Sequence, residues 1–195
     1  MAKIYVIMGK SSSGKDTVYA RLRDMDELGL NTITMYTTRP KRAGEADGRE
    51  YFFTNEDGVK SLEREGKIVE LRAYNTVYGI WKYFTVDDGQ VDRNSDSKYI
   101  IIATLEAYKK YLEYYGKDII VPIYIEIDDR TRIHRALERE ERQEVPKYAE
   151  MCRRFLADEQ DFSEDNLIDA GIKKRYVNIN LEECISTIAE DIMNS

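Results

Sequence analysis

Residues 9–17 read GKSSSGKDT, and their neighbours make the string a topological constraint. An apolar run, KIYVIM at 3–8, leads straight into it. From Lys15 onward, Val18, Leu22, Met25 and Leu28 recur at helical spacing until Gly29. A buried strand that enters a loop of small residues and leaves as a helix is predicted. Gly9 and Gly14 let such a loop turn tightly around an anion, so that successive N–H groups point inward and the helix N-terminus adds partial positive charge. Lys15 brings a point charge toward the outer phosphates, and Ser11, Ser12 and Ser13 add compact hydroxyl donors. Asp16 stands where the commoner form of this loop has a serine or threonine that reaches magnesium. A carboxylate can hold that ion directly or through water, which makes Asp16 the metal candidate. Thr17, one residue later, is placed to contact a phosphate.

Beyond the loop, strands and helices alternate. NTITMY at 31–36 reads as a strand, 55–65 as a short helix and 67–71 as a strand, within a polar block of mixed structure that interrupts the rhythm. Residues 98–103 read as a buried strand, 105–115 as a helix ended by Gly116, and 119–127 as a strand whose Pro122 implies an edge or a bulge. Charged helices at 129–142 and 147–162, a strand at 175–179 and a closing helix at 181–193 complete the chain. This order predicts an α/β protein built on a parallel sheet covered on both faces. The length of 195 residues suits one domain.

Residues 37–53 read TTRPKRAGEADGREYFF. Thr37, Thr38, Arg39, Arg42, Gly44, Glu45, Gly48, Tyr51 and Phe53 fall on the pattern T-T-R-x-x-R-x-G-E-x-x-G-x-x-Y-x-F, which resembles the signature of the guanylate kinase family. The resemblance implies that Arg39, Arg42 and Tyr51 clamp the phosphate of an acceptor nucleotide; two guanidinium forks and a phenol suit a dianion. It further implies that Glu70 reads the acceptor guanine, that Tyr78 in Tyr78-Gly79 adds a phosphate contact, and that Asn178 in VNINLEE lies near the donor adenine. Small kinases of this type are also similar at the loop, where several carry a non-hydroxyl residue and then a threonine after the lysine.

Other positions depart from the family pattern. Ile80 occupies the place of a hydroxyl that would serve guanine O6, Met35 and Tyr36 replace a serine, and Thr104 and Glu106 stand where two aspartates are expected. A site that reads a base by hydrogen bonds discriminates strongly, so these changes leave open either guanine or another base.

In RTRIHRALEREER at 130–142, Arg132, Arg135, Arg139 and Arg142 are spaced i, i+3, i+7, i+10 along one predicted helical face. By resemblance, Arg135, Arg139, Arg142 and the later Arg154 close over the donor phosphates. The same arginines could instead pair with Glu138, Glu140, Glu141 and Glu144. His134 reads as a surface residue, and Cys152 and Cys184 as reduced thiols with no metal or redox spacing.

Together these features predict a P-loop NTPase-type core (1–33, 87–128, 148–195) with a monophosphate-binding insertion (34–86) and a helical lid (129–147). The expected activity is ATP-dependent phosphorylation of a nucleoside monophosphate, GMP first, with Mg2+ accompanying ATP. A kinase for a different base and a non-catalytic binding module are the alternatives. The net charge of −7 argues against nucleic acid as a partner. No apolar run approaches the ~20 residues of a membrane span, so no membrane partner is expected. The start MAKIYVIMG reads as a strand rather than a secretory signal, which makes the cytoplasm the default location. A monomer or homodimer is expected.

Overall fold

A computed structural model describes residues 1–76 and 78–195. In chain order the elements are β1 (Lys3–Met8), α1 (Lys15–Arg23), a 3-10 turn (Asp26–Leu28), β2 (Leu30–Thr32), β3 (Tyr36–Thr37), β4 (Phe52–Phe53), α2 (Glu56–Arg64), β5 (Ile68–Thr76) and β6 (Gly79–Val86). They continue as β7 (Lys98–Ile102), α3 (Leu105–Tyr115), β8 (Ile120–Glu126), α4 (Asp129–Glu141), α5 (Tyr148–Asp161), α6 (Glu164–Asp169), β9 (Arg175–Val177) and α7 (Leu181–Met193). No helix among the described residues is long and apolar enough to cross a membrane.

Five strands form a parallel sheet in the order β2-β7-β1-β8-β9. The central strand β1 is apolar on both faces because both faces are covered. Ile4, Val6 and Met8 pack with Tyr108 and Tyr111 of α3, and with Phe162 and Leu167. Tyr5 and Ile7 pack with Val18 and Leu22 of α1, and with Ile185, Ile188 and Ile192 of α7. Each large side chain fully buried in this way contributes about 1.5–3 kcal/mol of transfer free energy.

The expected strand at 31–36 is split between two sheets. Ile33 still donates its N–H to Ile100 O at 3.2 Å. At Thr34 the ladder ends, because the Gln90 side-chain amide takes both backbone groups: Thr34 N–H donates to Oε1 at 2.8 Å, and Nε2 donates to Thr34 O at 3.2 Å. Tyr36–Thr37 then joins a second sheet, ordered β4-β3-β6-β5. Its outer side packs on α2 through Val59, Phe84, Val86 and Leu62. The β6 strand was missing from the sequence expectation, although IWKYFTV carries the β-branched and aromatic residues that strands favour.

The first helix also ends sooner than its apolar spacing implied, at Arg23, with Asp24 as its C-cap. Pro122 does not mark an edge strand: β8 lies between β1 and β9. Ile119 O accepts from Ile4 N, so the odd positions of β8 face β1 and Pro122 faces the other way. There β9 pairs only from Tyr124 onward, so no donor is missed at Pro122.

Candidate active site

The loop between β1 and α1 has the form that anion binding requires. Gly9 lies against β8 so closely that a Cβ would sit 2.6 Å from Ile125 O. Gly14, at φ 89°, leaves room for the Asn178 amide, which a Cβ would meet at 2.3 Å. That amide donates to Ser13 O at 2.8 Å and props the loop from below. Ser12 holds a left-handed φ of 64°, a sparsely populated conformation for a non-glycine residue that is enriched at ligand-binding sites. The buried Ser12 Oγ, Ser13 Oγ and Asn178 Oδ1 have no partner among the described residues. Buried polar atoms are ordinarily paired, so hydroxyls left over in one loop fit a ligand rich in acceptor oxygens. The N-terminus of α1 has no side-chain cap, while Asn55, Thr104, Asp128 and Asn180 cap α2, α3, α4 and α7. Its N–H groups and dipole are therefore available to an anion. Lys15 Nζ lies 3.4 Å from Asp16 Oδ2, and Asp16 is 79% exposed. Thr17 is exposed beside it. Among the described residues no three His, Cys, Asp or Glu side chains converge to hold a metal.

The arginines expected on one face of α4 take different positions. Arg132 is buried, and it donates to Ser11 O (3.2 Å), Asp129 (2.6 Å), Glu159 (2.6 Å) and Asp158 (3.4 Å). Its guanidinium also lies over Phe155, 4.6 Å from the ring centroid. Asp158 accepts the Ser11 N–H at 2.8 Å, and Glu159 pairs with Lys10 at 2.7 Å. Arg132 thus pins α4 and α5 to the loop. Arg135 follows the loop edge, 3.5 Å from Ser13 O and 3.3 Å from Asn178 O, and Arg154 of α5 donates to Ser11 Oγ at 3.4 Å. Arg139 is half exposed, and Arg142 is open to solvent 3.8 Å from Glu138. The expected common face is lost because ten residues at 100° each leave Arg142 rotated by about 80° from Arg132. The stripe that buries itself is Arg132, Ala136 and Glu140. His134 is exposed, as expected for a surface position.

Across from the loop, residues 37–53 fold around Glu45. Arg39 is buried and donates to both Glu45 oxygens, at 3.0 and 2.8 Å, and to Pro40 O at 2.8 Å. Glu45 also accepts the Arg42 N–H at 2.7 Å. Arg39 lies over the rings of Tyr51 and Phe53, 5.5 and 5.6 Å from their centroids. Its remaining N–H groups are held in one orientation, while the Arg42 guanidinium is exposed with no ion-pair partner among the described residues. Burial, then the neighbouring Tyr83, keeps the Tyr51 hydroxyl protonated above its usual range, so it remains a donor. Tyr78 lies at the hairpin turn, 82% exposed and stacked on Trp81 with centroids 6.0 Å apart.

Hydrogen bonds from Arg39, then the Arg42 N–H, pull Glu45 down to about 2 from 4.5. A depressed carboxylate stabilises the folded state fully above its unfolded pKa, and that contribution is lost as pH falls from 4.5 through about 2. Glu45→Gln should remove this acid-sensitive step. In acceptor titrations it should raise KM about tenfold with a smaller change in kcat, as expected when a charge-assisted hydrogen bond is weakened. An unchanged acceptor KM would mean that Glu45 does not orient the clamp.

One face of the β5–β6 hairpin turns toward α3. It carries the cross-strand pairs Glu70–Thr85, Arg72–Tyr83 and Tyr74–Trp81. The opposite face carries Leu71–Phe84, Ala73–Lys82 and Asn75–Ile80, with Lys82 bonded to Glu56 of α2 at 2.7 Å. Ile80 is therefore not beside Glu70, contrary to the sequence expectation; strand alternation sends it to the other side of the sheet. Glu70 is buried and paired with Arg72 at 2.9 Å. Tyr36 also turns away, packing on Phe52 and stacking on Phe84, whereas Met35 lines the cleft between α1 and residues 48–51. Thr104 caps α3 and Glu106 is exposed; both border a second recess of about 360 Å3 with Tyr74, Lys109, Asp161 and Asn166.

A sequence profile described as guanylate kinase matches residues 1–170. The chain belongs to the guanylate kinase family. It is 30% identical over 118 residues to a guanylate kinase of Mycoplasma mobile, covering 59% of this chain and 56% of that protein. It is 30% identical over 130 residues to one of Caldanaerobacter subterraneus, covering 66% and 63%. The match to guanylate kinase 2, chloroplastic/mitochondrial, of rice is 42% identical over 80 residues, 40% of this chain and 26% of that protein. The chain thus spans less than two thirds of the length of these curated relatives. In fold it is similar to the crystal structure of guanylate kinase from Anaplasma phagocytophilum, with a TM-score of 0.61 and 20% identity, covering 99% of this chain and 85% of that one.

Within this guanylate kinase fold, three residues that organise the structure escaped the sequence reading. Glu45 was matched to the family signature but given no role. Arg72 and Gln90 were passed over. For Arg72 a signal existed: an arginine two residues after a glutamate in a strand shares its face. Gln90 had none, since it acts across 56 residues of sequence.

Proposed function

We propose that the chain transfers a phosphoryl group from ATP to a nucleoside monophosphate, with GMP the first candidate. The observation that carries this reading is a single cleft of about 400 Å3 with walls from both sides of the site: Asp16 and Tyr19 of α1 on one side, Tyr51 and Glu50 of the clamp on the other. The helix that follows the donor loop and the segment that carries the acceptor clamp border one space, which supports an in-line displacement between them. Membership of the guanylate kinase family supports the same assignment.

The roles follow from the chemistry of the side chains. The loop amides, Gly9, Ser11, Ser12, Ser13, Gly14 and Thr17 hold the donor phosphates, with Lys15 supplying positive charge. Asn178 supports this loop beside the nucleoside end. Arg39, Arg42 and Tyr51 hold the acceptor phosphate; Tyr78 joins them when the hairpin turn approaches, and Glu70 belongs to the base-facing wall. Arg135, Arg139, Arg142 and Arg154 stand on the lid side and neutralise charge on the moving phosphoryl group. The acceptor is already anionic, so catalysis is positioning and charge stabilisation without a general base. A lone, open Asp16 fits a Mg2+ held directly or through water, and the ion would supply charge neutralisation for the donor phosphates there. In this reading residues 34–86 are the acceptor-binding insertion, 129–147 the lid and the remainder the core.

The test is ADP formation by purified protein with MgATP and a panel of GMP, dGMP, AMP, CMP, UMP, dTMP and IMP. GMP-dependent turnover is expected. Folded, ATP-binding protein that stays silent across the panel would overturn the reading in favour of a binding module.

A further inference from the structure

One residue of the loop at 9–17 is held against its own preference. Among the described residues, Ser12 is the only non-glycine residue with a positive φ. Such a conformation is unfavourable for a residue with a Cβ, and it persists only where the surroundings over-determine it. The buried Ser12 hydroxyl has no partner among the described residues, so the side chain does not hold itself in place. Its neighbours are held instead. On one side, Ser13 N–H donates to Lys10 O at 3.2 Å, and Ser13 O accepts from Asn178 Nδ2 at 2.8 Å. On the other side the fastenings come from α4 and α5. Asp158 Oδ2 accepts the Ser11 N–H at 2.8 Å. Arg132 Nε donates to Ser11 O at 3.2 Å, and Arg154 Nη2 donates to Ser11 Oγ at 3.4 Å. Lys10 Nζ donates to both Glu159 oxygens, at 2.8 and 2.7 Å. Burial works against the charge of Glu159, but Lys10 and Arg132 more than offset it and hold the carboxyl below its usual range.

We infer that Asp158, with the Lys10–Glu159 pair beside it, is a positioning residue for the donor site: it keeps the loop in its phosphate-binding form by holding Ser12 left-handed. The inference rests on the reading of residues 9–17 as the donor-phosphate loop, and adds what maintains the loop's shape before a donor arrives. Asp158 acts through Ser11, because its Oδ2 is engaged by the Ser11 N–H and, at 3.4 Å, by Arg132 Nη2. Without this tie, a return of Ser12 to negative φ would relieve the strain. It would also swing the peptide units on either side, so that their N–H groups no longer converge on an anion. A glycine at this position would need no such hold, since it enters the left-handed region without a Cβ penalty. The strained serine thus makes donor affinity depend on a contact that spans 147 residues of sequence.

The test is calorimetric binding of MgADP and of GMP to the full chain and its variants, with melting temperatures alongside. Asp158→Ala should weaken MgADP about tenfold, within the range that one strained left-handed residue is worth, and leave GMP nearly unchanged. Arg132 keeps Asp129 and Glu159 at 2.6 Å, so the substitution does not strand a buried charge. Asp158→Asn should retain most of the MgADP affinity, because an amide oxygen can accept the Ser11 N–H in place of Oδ2. The deciding comparison is a double-mutant cycle with Ser12→Gly, which cancels the separate effect of losing the Ser12 hydroxyl. In the Ser12→Gly background, Asp158→Ala should change MgADP affinity by no more than about twofold, the usual error of additivity. An equal loss in both backgrounds would overturn the inference. So would equal weakening of MgADP and GMP, or unchanged MgADP affinity in Asp158→Ala. Lys10→Met leaves Glu159 its bond to Arg132, tests the same tie from the loop side, and takes the place of Asp158→Ala in the cycle if that variant does not fold. If the unmodified protein binds no MgADP, the donor-loop reading fails by itself. Hydrogen exchange of the amides at 9–17 then decides on Asp158: faster exchange in Asp158→Ala that Asp158→Asn reverses supports the tie, and unchanged exchange overturns it.

Discussion

Lys15→Ala is expected to lower kcat by about 10²–10³-fold, the usual cost of removing one preorganised charge or donor from a transition-state site. The loop itself should survive. Its path is set by Gly9 against Ile125, by Gly14 above Asn178 and by the Asn178–Ser13 hydrogen bond, none of which involves the lysine side chain. The ion nearest to Lys15 Nζ is Asp16 at 3.4 Å, largely exposed, so the substitution leaves no buried charge behind. Steady-state ADP formation and a melting curve on the same preparation would check both halves of the expectation. Turnover within tenfold of the unmodified protein would mean that the donor phosphates are held elsewhere.

Arg132→Met should be the most destabilising single change near the site, at about 3 kcal/mol. That is the lower end for breaking a buried ion pair, because Asp129 and Glu159 can rehydrate once the guanidinium is gone, whereas Asp158 is more enclosed. Methionine keeps the stem packed on Phe155, so the measured loss reports the charge network rather than a cavity. For a chain of this size the melting temperature should fall by roughly 6–12 °C. The ATP KM should rise as well, since Ser11 loses the carbonyl contact that helps hold the loop. A shift below about 2 °C would show that α4 and α5 are held by packing alone.

The parts legible in sequence were those in which chemistry and spacing coincide within a short window. The β1–loop–α1 unit announced itself because an apolar run, glycines and a helical period abut within 25 residues. Residues 37–53 were readable because nine of them fall on a signature shared with the guanylate kinase family. What escaped depended on partners distant in sequence. The split at Thr34 is caused by Gln90, which no local pattern at 31–36 could signal. Arg132 shares its residue type and spacing with Arg135, yet only burial against Asp158 and Glu159 makes it structural. Ile80 was misplaced because counting from Tyr78-Gly79 does not reveal which face of β6 each residue takes; that depends on pairing with β5. Pro122 was assigned to an edge because its immunity lies in where β9 starts, some fifty residues later.

The Gln90 clip has a mechanical consequence. The chain passes between the two sheets at residues 33–35 and 87–97, and the amide of Gln90 ties these passages together at Thr34. The hairpin beyond is a lever with its fulcrum there. Its tip lies about 25 Å out along the eight residues of β6, and Arg72, opposite Tyr83, about 10 Å out. A swing of about 10° would carry the tip, with Tyr78, through about 4 Å while Arg72 moves less than about 2 Å. Displacement along one strand pair therefore grows with distance from the clip, so the far end has the longer stroke and the near end stays nearly still.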